Sequence, residues 1–250
     1  ADTARALEDT APQIWDEAPR NLCFDYEIGD RAASDAAFAL AAHVSDIDIV
    51  NNRVIVNSME PRGAIAECTP DGRFVFHVSS QGVHMFRDSL CDSVMHIPRE
   101  RMRVITPDVG GAFGMKILMY PEYPVLLLAA EMLGRPVKWI PERGDAFMTD
   151  VHGRDNVTHA ELAMDADGRF LAARVSTVAN MGAYLSTFAP YIPTYDGAPL
   201  LASVYDNPAI YVEAKGVFTN TVPVDAYRGP GRSEANYAIE RLVEAAAYDL

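Results

Sequence analysis

The sequence predicts an α+β fold in which helices pack on mixed β-sheets. Short runs of alternating polar and apolar residues stand beside longer apolar runs that can form buried helices. The order strand, loop, helix occurs twice in the first half of the chain. With 250 residues, 49% of them hydrophobic, the chain can bury roughly 70–75% of its unfolded surface. A globular protein of one or two domains follows.

The N-terminal part is predicted to contain an extended lead-in and then short strands. Residues 1–36 are acidic and carry Pro12 and Pro19, which disfavour regular structure. Three apolar runs follow before residue 81, and we interpret them as strands: FALAAHV, RVIVNS and RFVFHVSS. For the first run a helix over AASDAAFALAAH is the alternative, because alanine favours helices.

Two junctions between a strand and a helix stand out. Residues 79–81, Ser-Ser-Gln, end one strand, and the spacing of apolar residues in QGVHMFRDSLCDS predicts a helix opening at or just after Gln81. The second junction has a strand at RMRVITPD, a loop at PDVGGAFGMK (107–116) and a buried helix at YPVLLLAAEMLG. Since the carboxyl ends of strands form the binding edge of such layers, the two junctions are expected to face one crevice.

The glycines of the second junction match neither common phosphate-binding loop. A Walker A loop needs Ser or Thr after its lysine, whereas Ile follows Lys116, and the GGxxG spacing is not GxGxxG. Gly110, Gly111 and Gly114 permit positive φ or close backbone approach to a ligand, and Phe113 offers a flat apolar face. The alternative is a tight turn with Phe113 in the core. Lys116 either contacts a phosphate or is simply solvated.

The second half begins with a strand at RPVKWIPER and a hairpin over 158–179. The polar stretch 144–157 separates two predicted lobes, 37–150 and 151–250. The last apolar stripe predicts a helix with Ser233 as its N-cap.

A candidate anion site precedes this last helix. Arg228, Gly229, Gly231 and Arg232 lie just before its N-terminus, where free N–H groups, the helix dipole and two guanidiniums all favour negative charge. Two solvated arginines in a turn are the alternative.

Charge and cysteine usage restrict the function classes. The 35 acidic and 21 basic residues give a net charge of −14, which repels a polyphosphate backbone, so nucleic acid is not expected as a partner. Three cysteines without CxxC spacing argue against a protein-bound metal cluster and for a reducing, cytoplasmic setting. No apolar stretch is long enough for a membrane span.

Seven segments, in order along the chain, carry a resemblance to a known family. They are MEPRGAIAE (59–67), SSQGVHMFRDSL (79–90), PDVGGAFGMK (107–116), RPVKWIPER (135–143), HGRD (152–155), GAYLSTFAPYIPT (182–194) and TNTVPVDAYRGPGRSEANYAIERL (219–242). Together they resemble the molybdenum-binding large subunit of the xanthine oxidase, aldehyde oxidase and carbon monoxide dehydrogenase family of molybdenum hydroxylases. The two predicted lobes then belong to a molybdopterin-binding domain.

The resemblance implies roles for individual residues. Gln81 would hydrogen-bond near an oxo ligand of molybdenum, the glycine-rich loop would lay amides and Phe113 against the metal and pterin, and Arg228 would lie beside the active centre. Catalytic positions would be Gln81, Phe113 and Arg228, and cofactor contacts would come from Gln81, Gly82, Gly110, Gly111, Ala112, Phe113, Gly114, Ala226, Tyr227, Arg228, Gly229, Gly231 and Arg232. No protein residue is expected to ligate the metal, because the pterin supplies sulfur.

The resemblance also implies the chemistry and the partners. The reaction would oxidise an aldehyde, a heteroaromatic compound or a similar small molecule with water as oxygen donor. The cofactor would be molybdenum-molybdopterin in its cytosine dinucleotide form. Electrons would leave through iron–sulfur and FAD subunits or domains, and the remainder of the same large subunit would complete the site.

Two departures from the family pattern bear on the substrate. Copper-containing carbon monoxide dehydrogenases have a cysteine where this chain has Gly229, and xanthine-oxidising enzymes have a glutamate where it has Ile117. The general base of the family lies in a later motif that no residue here matches. The sequence lacks an initial Met and stops inside a predicted helix, so we expect a fragment that is inactive and without cofactor by itself.

Two other functions compete with this interpretation. A non-catalytic nucleotide- or pterin-binding or assembly module could use the same glycine-rich loops without turnover. Phosphoryl transfer is disfavoured by the missing Walker hydroxyl.

Overall fold

The structure is a computed structural model that describes residues 2–250. Its strands are β1 (Leu22–Gly29), β2 (His43–Asn51), β3 (Val54–Ile55), β4 (Ala64–Cys68), β5 (Phe74–Val78), β6 (Met102–Ile105), β7 (Val137–Trp139), β8 (His152–Gly153), β9 (Asn156–Met164), β10 (Phe170–Gly182) and β11 (Ile210–Phe218). Its α-helices are α1 (Arg31–Leu40), α2 (Val83–Asp88), α3 (Glu122–Leu133), α4 (Arg143–Thr149) and α5 (Arg232–Asp249). The predicted α+β class is confirmed.

The chain forms two compact units. Residues 2–54 and 152–250 make the first unit, and residues 55–151 make the second. The predicted lobes differ from this division, because the chain before residue 55 clusters with the C-terminal part. The reason is long-range strand pairing: β1 pairs with β11 and β2 with β9. Such pairings leave no mark on the local sequence. The predicted extended lead-in, residues 1–36, itself contains β1 and six of the ten residues of α1.

The first unit is built on a five-stranded sheet. Its order is β1-β11-β10-β9-β2, with β10 and β11 parallel and the other pairs antiparallel. The predicted hairpin is present as β9 and β10, and the turn between them places Gly168 at φ 78°. Helix α5 covers one face of the sheet, because its apolar stripe packs on the inward side chains of the strands. The buried set includes Ala160, Leu162, Met164, Val175, Val212, Ala235, Ala238, Ile239, Leu242 and Ala246.

The predicted strand at FALAAHV is wrong, because a helix, α1, occupies Arg31–Leu40 and the strand begins only at His43. Asp30 caps α1 by accepting a hydrogen bond from the Ala33 amide at 2.9 Å. The alanine run then favours helix over strand, as the alternative interpretation held. Phe38 on α1 lies under the guanidinium of Arg174, 3.8 Å from its ring centroid, which anchors the helix on β10.

The second unit has a four-stranded sheet with the order β6-β5-β4-β7. Strands β5 and β6 are parallel, and Phe76 is in register with Val104. Helices α2 and α3 contribute Phe86 and Tyr123 to an aromatic cluster with Phe76, whose ring centroids lie 5.2 to 6.1 Å apart. This cluster fixes α2 against β5 and hence the junction that joins them.

Within residues 2–250, no helix combines the length and the apolar character needed to cross a membrane.

Candidate functional site

The two predicted junctions of the second unit meet at one edge of its sheet. They follow the carboxyl ends of β5 and β6, and these strands are parallel neighbours, so both loops emerge on the same side. The Gly114 amide donates to Oε1 of Gln81 at 2.8 Å. The backbone N–H of Gln81 donates to the Lys116 carbonyl oxygen at 3.3 Å. The structure therefore brings Gln81 and the glycine-rich loop together, as the sequence predicts.

The glycine-rich loop follows an unusual backbone path. Gly111 has φ 96° and Gly114 has φ 106°, conformations that side chains disfavour. Phe113 also has a positive φ, 53°, which is uncommon for an aromatic residue. Its side chain is 43% exposed, so the alternative of a core phenylalanine is wrong. The loop is built to hold an aromatic ring at the surface.

The two residues before Phe113 carry amides without an acceptor among residues 2–250. The N–H groups of Gly111 and Ala112 donate to no oxygen of residues 2–250, although Ala112 is buried. Unpaired buried N–H groups are rare because the lost hydration is not replaced. Ala112 therefore offers a buried donor, and Gly111 a half-buried one, to an acceptor outside residues 2–250.

One carboxylate closes the neck of the loop. Oε2 of Glu60 accepts from Ser79 Oγ at 2.6 Å, from the Gly110 amide at 2.9 Å and from Lys116 Nζ at 2.7 Å. The Lys116 side chain has no exposed surface, so the expectation of a solvated lysine is wrong. A buried ammonium needs a nearby anion, and Glu60 provides it.

The pKa values of this pair follow from the same contacts. Partial burial raises the pKa of Glu60, but the hydrogen bonds from Lys116, Ser79 and Gly110 outweigh it and lower the pKa to about 2. Burial lowers the pKa of Lys116, and the contact with Glu60 opposes that shift. Glu60 is therefore an anion at any physiological pH.

Gly82 lies between Gln81 and α2 as the residue that caps the helix. A Cβ atom added there would meet nothing within 4 Å, so neighbouring atoms do not require glycine at this position. The space beside Gly82 is large enough for a group from outside the described chain.

The predicted anion site lies in the first unit, between β11 and α5. Asp225 opens the segment: it is buried and accepts from the amides of Ala226 at 2.5 Å and Phe188 at 2.9 Å. Burial raises the pKa of Asp225 against the effect of these hydrogen bonds. Tyr227 packs closely on Gly153 of β8. A Cβ atom added to Gly153 would lie 2.6 Å from the Cβ atom of Tyr227.

Arg154 binds two backbone carbonyl oxygens of the segment before α5. Its guanidinium donates to the carbonyl oxygens of Tyr227 at 2.7 Å and Arg228 at 3.1 Å, and pairs with Glu234 at 3.3 Å. In a trans peptide the C=O and N–H groups point in opposite directions. The amides of Arg228 and Gly229 are therefore directed away from Arg154. Burial raises the pKa of Glu234, and Arg154 opposes that shift.

Helix α5 begins at Arg232, and its N-cap is Gly231 with φ 76°. The predicted cap, Ser233, is wrong: its Oγ donates back to the Gly229 carbonyl oxygen at 3.0 Å. A Cβ on Gly231 would lie 2.6 Å from the Ile192 carbonyl oxygen, which leaves glycine as the residue that fits. Arg228 and Arg232 are exposed near this helix N-terminus, where an anion is favoured.

Sequence reasoning missed the residues that hold the two segments in place. Glu60, Arg154 and Asp225 lie within segments that were recognised as a whole, but their bonds run to distant parts of the chain. No local pattern marks such contacts. A charged residue inside an otherwise apolar or glycine-containing motif is the only available signal.

No group of three or more His, Cys, Asp or Glu side chains within residues 2–250 is arranged to hold a metal ion. In the second unit, the loop amides beside Phe113 are suited to an acceptor atom of a ligand. In the first unit, the arginines before α5 are suited to an anion.

Comparison with known proteins gives consistent results. The family model described as a molybdopterin cofactor-binding domain matches residues 14–250. The carbon monoxide dehydrogenase large chain of Hydrogenophaga pseudoflava is 35% identical over 233 residues, covering 92% of this chain and 29% of that protein. The 6-hydroxypseudooxynicotine dehydrogenase complex subunit gamma of Paenarthrobacter nicotinovorans is 34% identical over 216 residues, covering 86% and 27%.

A solved structure agrees with these sequence matches. Quinoline 2-oxidoreductase from Pseudomonas putida 86 superposes with a TM-score of 0.90 and 31% identity, covering 99% of this chain and 31% of that chain. The chain thus spans less than a third of the length of each of these three relatives.

Proposed function

We propose, because this chain belongs to the molybdopterin cofactor-binding domain family, that it forms part of the large subunit of a molybdenum hydroxylase. When bound, the cofactor supplies two-electron oxidation of a substrate carbon with water as the source of oxygen. The observation that carries the proposal is the pair of amides at Gly111 and Ala112, which have no acceptor within residues 2–250.

The residues present fit such a cofactor. Its oxygen atoms are acceptors, and the loop offers two unpaired N–H donors beside a solvent-exposed phenylalanine ring. Glycines with positive φ at 111 and 114 allow the backbone to approach a bulky ligand. A metal held by the sulfur atoms of its own pterin needs no side-chain ligand.

Within this proposal, the second unit offers a carboxamide, backbone donors and an aromatic ring to the cofactor. The hydrogen bond from the Gly114 amide to Oε1 orients the Gln81 side chain. The side-chain NH₂ group of Gln81 is then available as a donor. Gly82, Gly110 and Ala112 supply backbone at this edge, and Phe113 excludes water from the reacting face.

The first unit contributes charge and backbone donors. Arg228 and Arg232 balance negative charge on the cofactor, and Arg154 aims the amides of Arg228 and Gly229 away from itself. Ala226, Tyr227 and Gly231 shape the segment. The cytosine dinucleotide form of the cofactor belongs to the proposal.

The proposed substrate is an aldehyde, a heteroaromatic compound or a similar small molecule. Two relatives are named for such compounds, 6-hydroxypseudooxynicotine and quinoline. Gly229 has no side chain and cannot place a thiolate on copper, so oxidation of carbon monoxide by that route is not proposed.

The proposed partners are the rest of the same large subunit and iron–sulfur and FAD components that carry electrons away. The relative from Paenarthrobacter nicotinovorans is named as a subunit of a complex, which supports separate partners. A cytoplasmic location is proposed from three cysteines that form no disulfide. We also propose that residues 1–250 by themselves hold the cofactor poorly and have no activity.

Isotope labelling of the complete enzyme tests the activity. We expect oxidation of an aromatic aldehyde or an N-heterocycle with an artificial electron acceptor, and ¹⁸O from labelled water in the product. Gln81→Ala and Arg228→Ala should lower turnover at least tenfold with unchanged unfolding temperatures, whereas Met85→Ala, on the exposed side of α2, should not. Failure to oxidise any compound of either class, or oxygen derived from O₂, would contradict the proposal.

A further inference from the structure

We propose that Glu60 is a positioning residue that orients the peptide between Gly110 and Gly111, so that the Gly111 N–H faces the bound cofactor. The inference rests on the proposed function for the identity of the ligand. The clamp itself stands on the contacts of Glu60 with both ends of the loop.

Glu60 holds Gly110 from two sides. Its backbone amide donates to the Gly110 carbonyl oxygen at 3.0 Å, and its carboxylate accepts from the Gly110 amide at 2.9 Å. The approach is close, because a Cβ on Gly110 would lie 2.6 Å from Cβ of Glu60. Both polar groups of Gly110 are thereby used within the protein.

This clamp determines where the next amide points. The peptide bond between Gly110 and Gly111 is trans, so its N–H lies opposite its carbonyl group. Since the carbonyl faces the Glu60 backbone, the Gly111 N–H must face away from it. This N–H group has no acceptor among residues 2–250. The clamp thus turns one peptide outward as a donor.

The same carboxylate oxygen also fixes the far end of the loop. Lys116 Nζ and the Gly110 amide both donate to Oε2 of Glu60, so the first and last residues of the stretch 110–116 are tied to one atom. Ser79 at the end of β5 donates to that oxygen as well. The loop is therefore closed at its neck and fixed to the sheet edge.

A neutral side chain could not replace Glu60 without loss. A glutamine at this position keeps one acceptor oxygen for Gly110 but cannot neutralise the fully buried Lys116. Truncation to alanine removes all three side-chain bonds. The two variants therefore separate loss of charge from loss of all the side-chain bonds, while the backbone bond from residue 60 to Gly110 remains possible in both.

The test uses the complete subunit expressed with its partners. Molybdenum and pterin are measured per subunit in the wild type, Glu60→Gln, Glu60→Ala and the double variant Glu60→Gln with Lys116→Met, which removes the buried charge. Hydrogen exchange is followed in peptides that cover residues 108–118. Glu67→Gln is the matched control, since the Glu67 side chain on β4 forms no hydrogen bond or ion pair within residues 2–250.

We expect wild-type cofactor content in Glu67→Gln and at least a threefold loss in Glu60→Ala, with loop exchange at least tenfold faster. The double variant should fold, as judged by its unfolding temperature, and still show loss of cofactor and faster exchange. Wild-type content and exchange in Glu60→Ala, or recovery of both in the double variant, would overturn the inference. A wild-type subunit without molybdenum and pterin would instead overturn the proposed function, while the exchange rates would still test the clamp.

Discussion

The Arg62 guanidinium has no exposed surface and is enclosed by partners of opposite charge and by aromatic rings. It pairs with Asp150 at 2.5 Å and with Glu122 at 3.2 Å, and it lies 3.5 Å from the ring centroid of Tyr120. These partners raise its pKa further above the ordinary value although burial opposes the charge. The charge is kept in the interior because these carboxylates and rings favour it.

Removal of this cation should be costly. Arg62→Met leaves Asp150, whose side chain is 3% exposed, without its counter-charge, and the expected loss of stability is about 3–5 kcal/mol. Chemical denaturation of the complete subunit measures it. Arg73→Ala, which breaks an exposed pair with Asp71, is the control and should cost under about 1 kcal/mol. Equal effects of the two substitutions would contradict this account.

Glu60 makes stability depend on pH at the acidic end. Its folded pKa of about 2 lies below the ordinary 4.5, so the stability that it contributes is complete above 4.5 and is lost as the pH falls toward 2. The difference in unfolding temperature between wild type and Glu60→Gln should therefore be constant near neutral pH and shrink over that interval. Acid titration of both proteins by circular dichroism checks it. A difference that stays unchanged down to pH 2 would argue against the ion pair.

At the level of elements, the start of α5 depends on Gly231. This residue has φ 76°, and an added Cβ would lie 2.6 Å from the Ile192 carbonyl oxygen and 2.7 Å from the carbonyl carbon of Asp196. The chain must either shift there or give up the first turn of the helix. The segment that precedes α5 would move with it.

Gly231→Ala should destabilise the subunit by about 1–3 kcal/mol and speed hydrogen exchange in the first turn of α5. Gly144→Ala provides the control, because Gly144 lies inside α4 and an added Cβ would meet nothing within 4 Å. That substitution should stabilise by roughly 0.5–1 kcal/mol, since alanine has less freedom to lose in a helix. A stabilising effect of Gly231→Ala would show that the cap geometry is wrong.

The sequence predicted the elements whose signals are local. The strand at RFVFHVSS, the hairpin around Gly168 and the helix after Gln81 all follow from apolar spacing and turn residues. The strand expected at FALAAHV overlaps the end of the helix at residues 31–40, because a short apolar run with alanines fits either period. The division into units was not foreseen, since β1 finds its partner β11 far along the chain.

In the candidate site too, some features could be predicted from local sequence and others could not. Gln81 and the glycine-rich loop could be placed together from the sequence because both follow parallel strands. The bonds from Glu60 to Gly110 and Lys116 could not, since they span about fifty residues and depend on tertiary packing. Lys116 shows the limit most clearly, because a lysine next to a loop gives no sign that it will be fully buried.

For the molecule as a whole, the fold and the family are shared with relatives of about three times its length. The chain holds glycine-rich backbone, a carboxamide and guanidiniums suited to an organic anion. No side-chain cluster within residues 2–250 is suited to a bare metal ion.

The most direct test of this account is the cofactor content of the complete subunit purified with its partners. Metal analysis and pterin determination should give close to one molybdenum and one pterin for each large subunit. A purified, folded subunit that contains neither molybdenum nor pterin would contradict the central claim. Pterin or nucleotide without molybdenum would support the non-catalytic module instead.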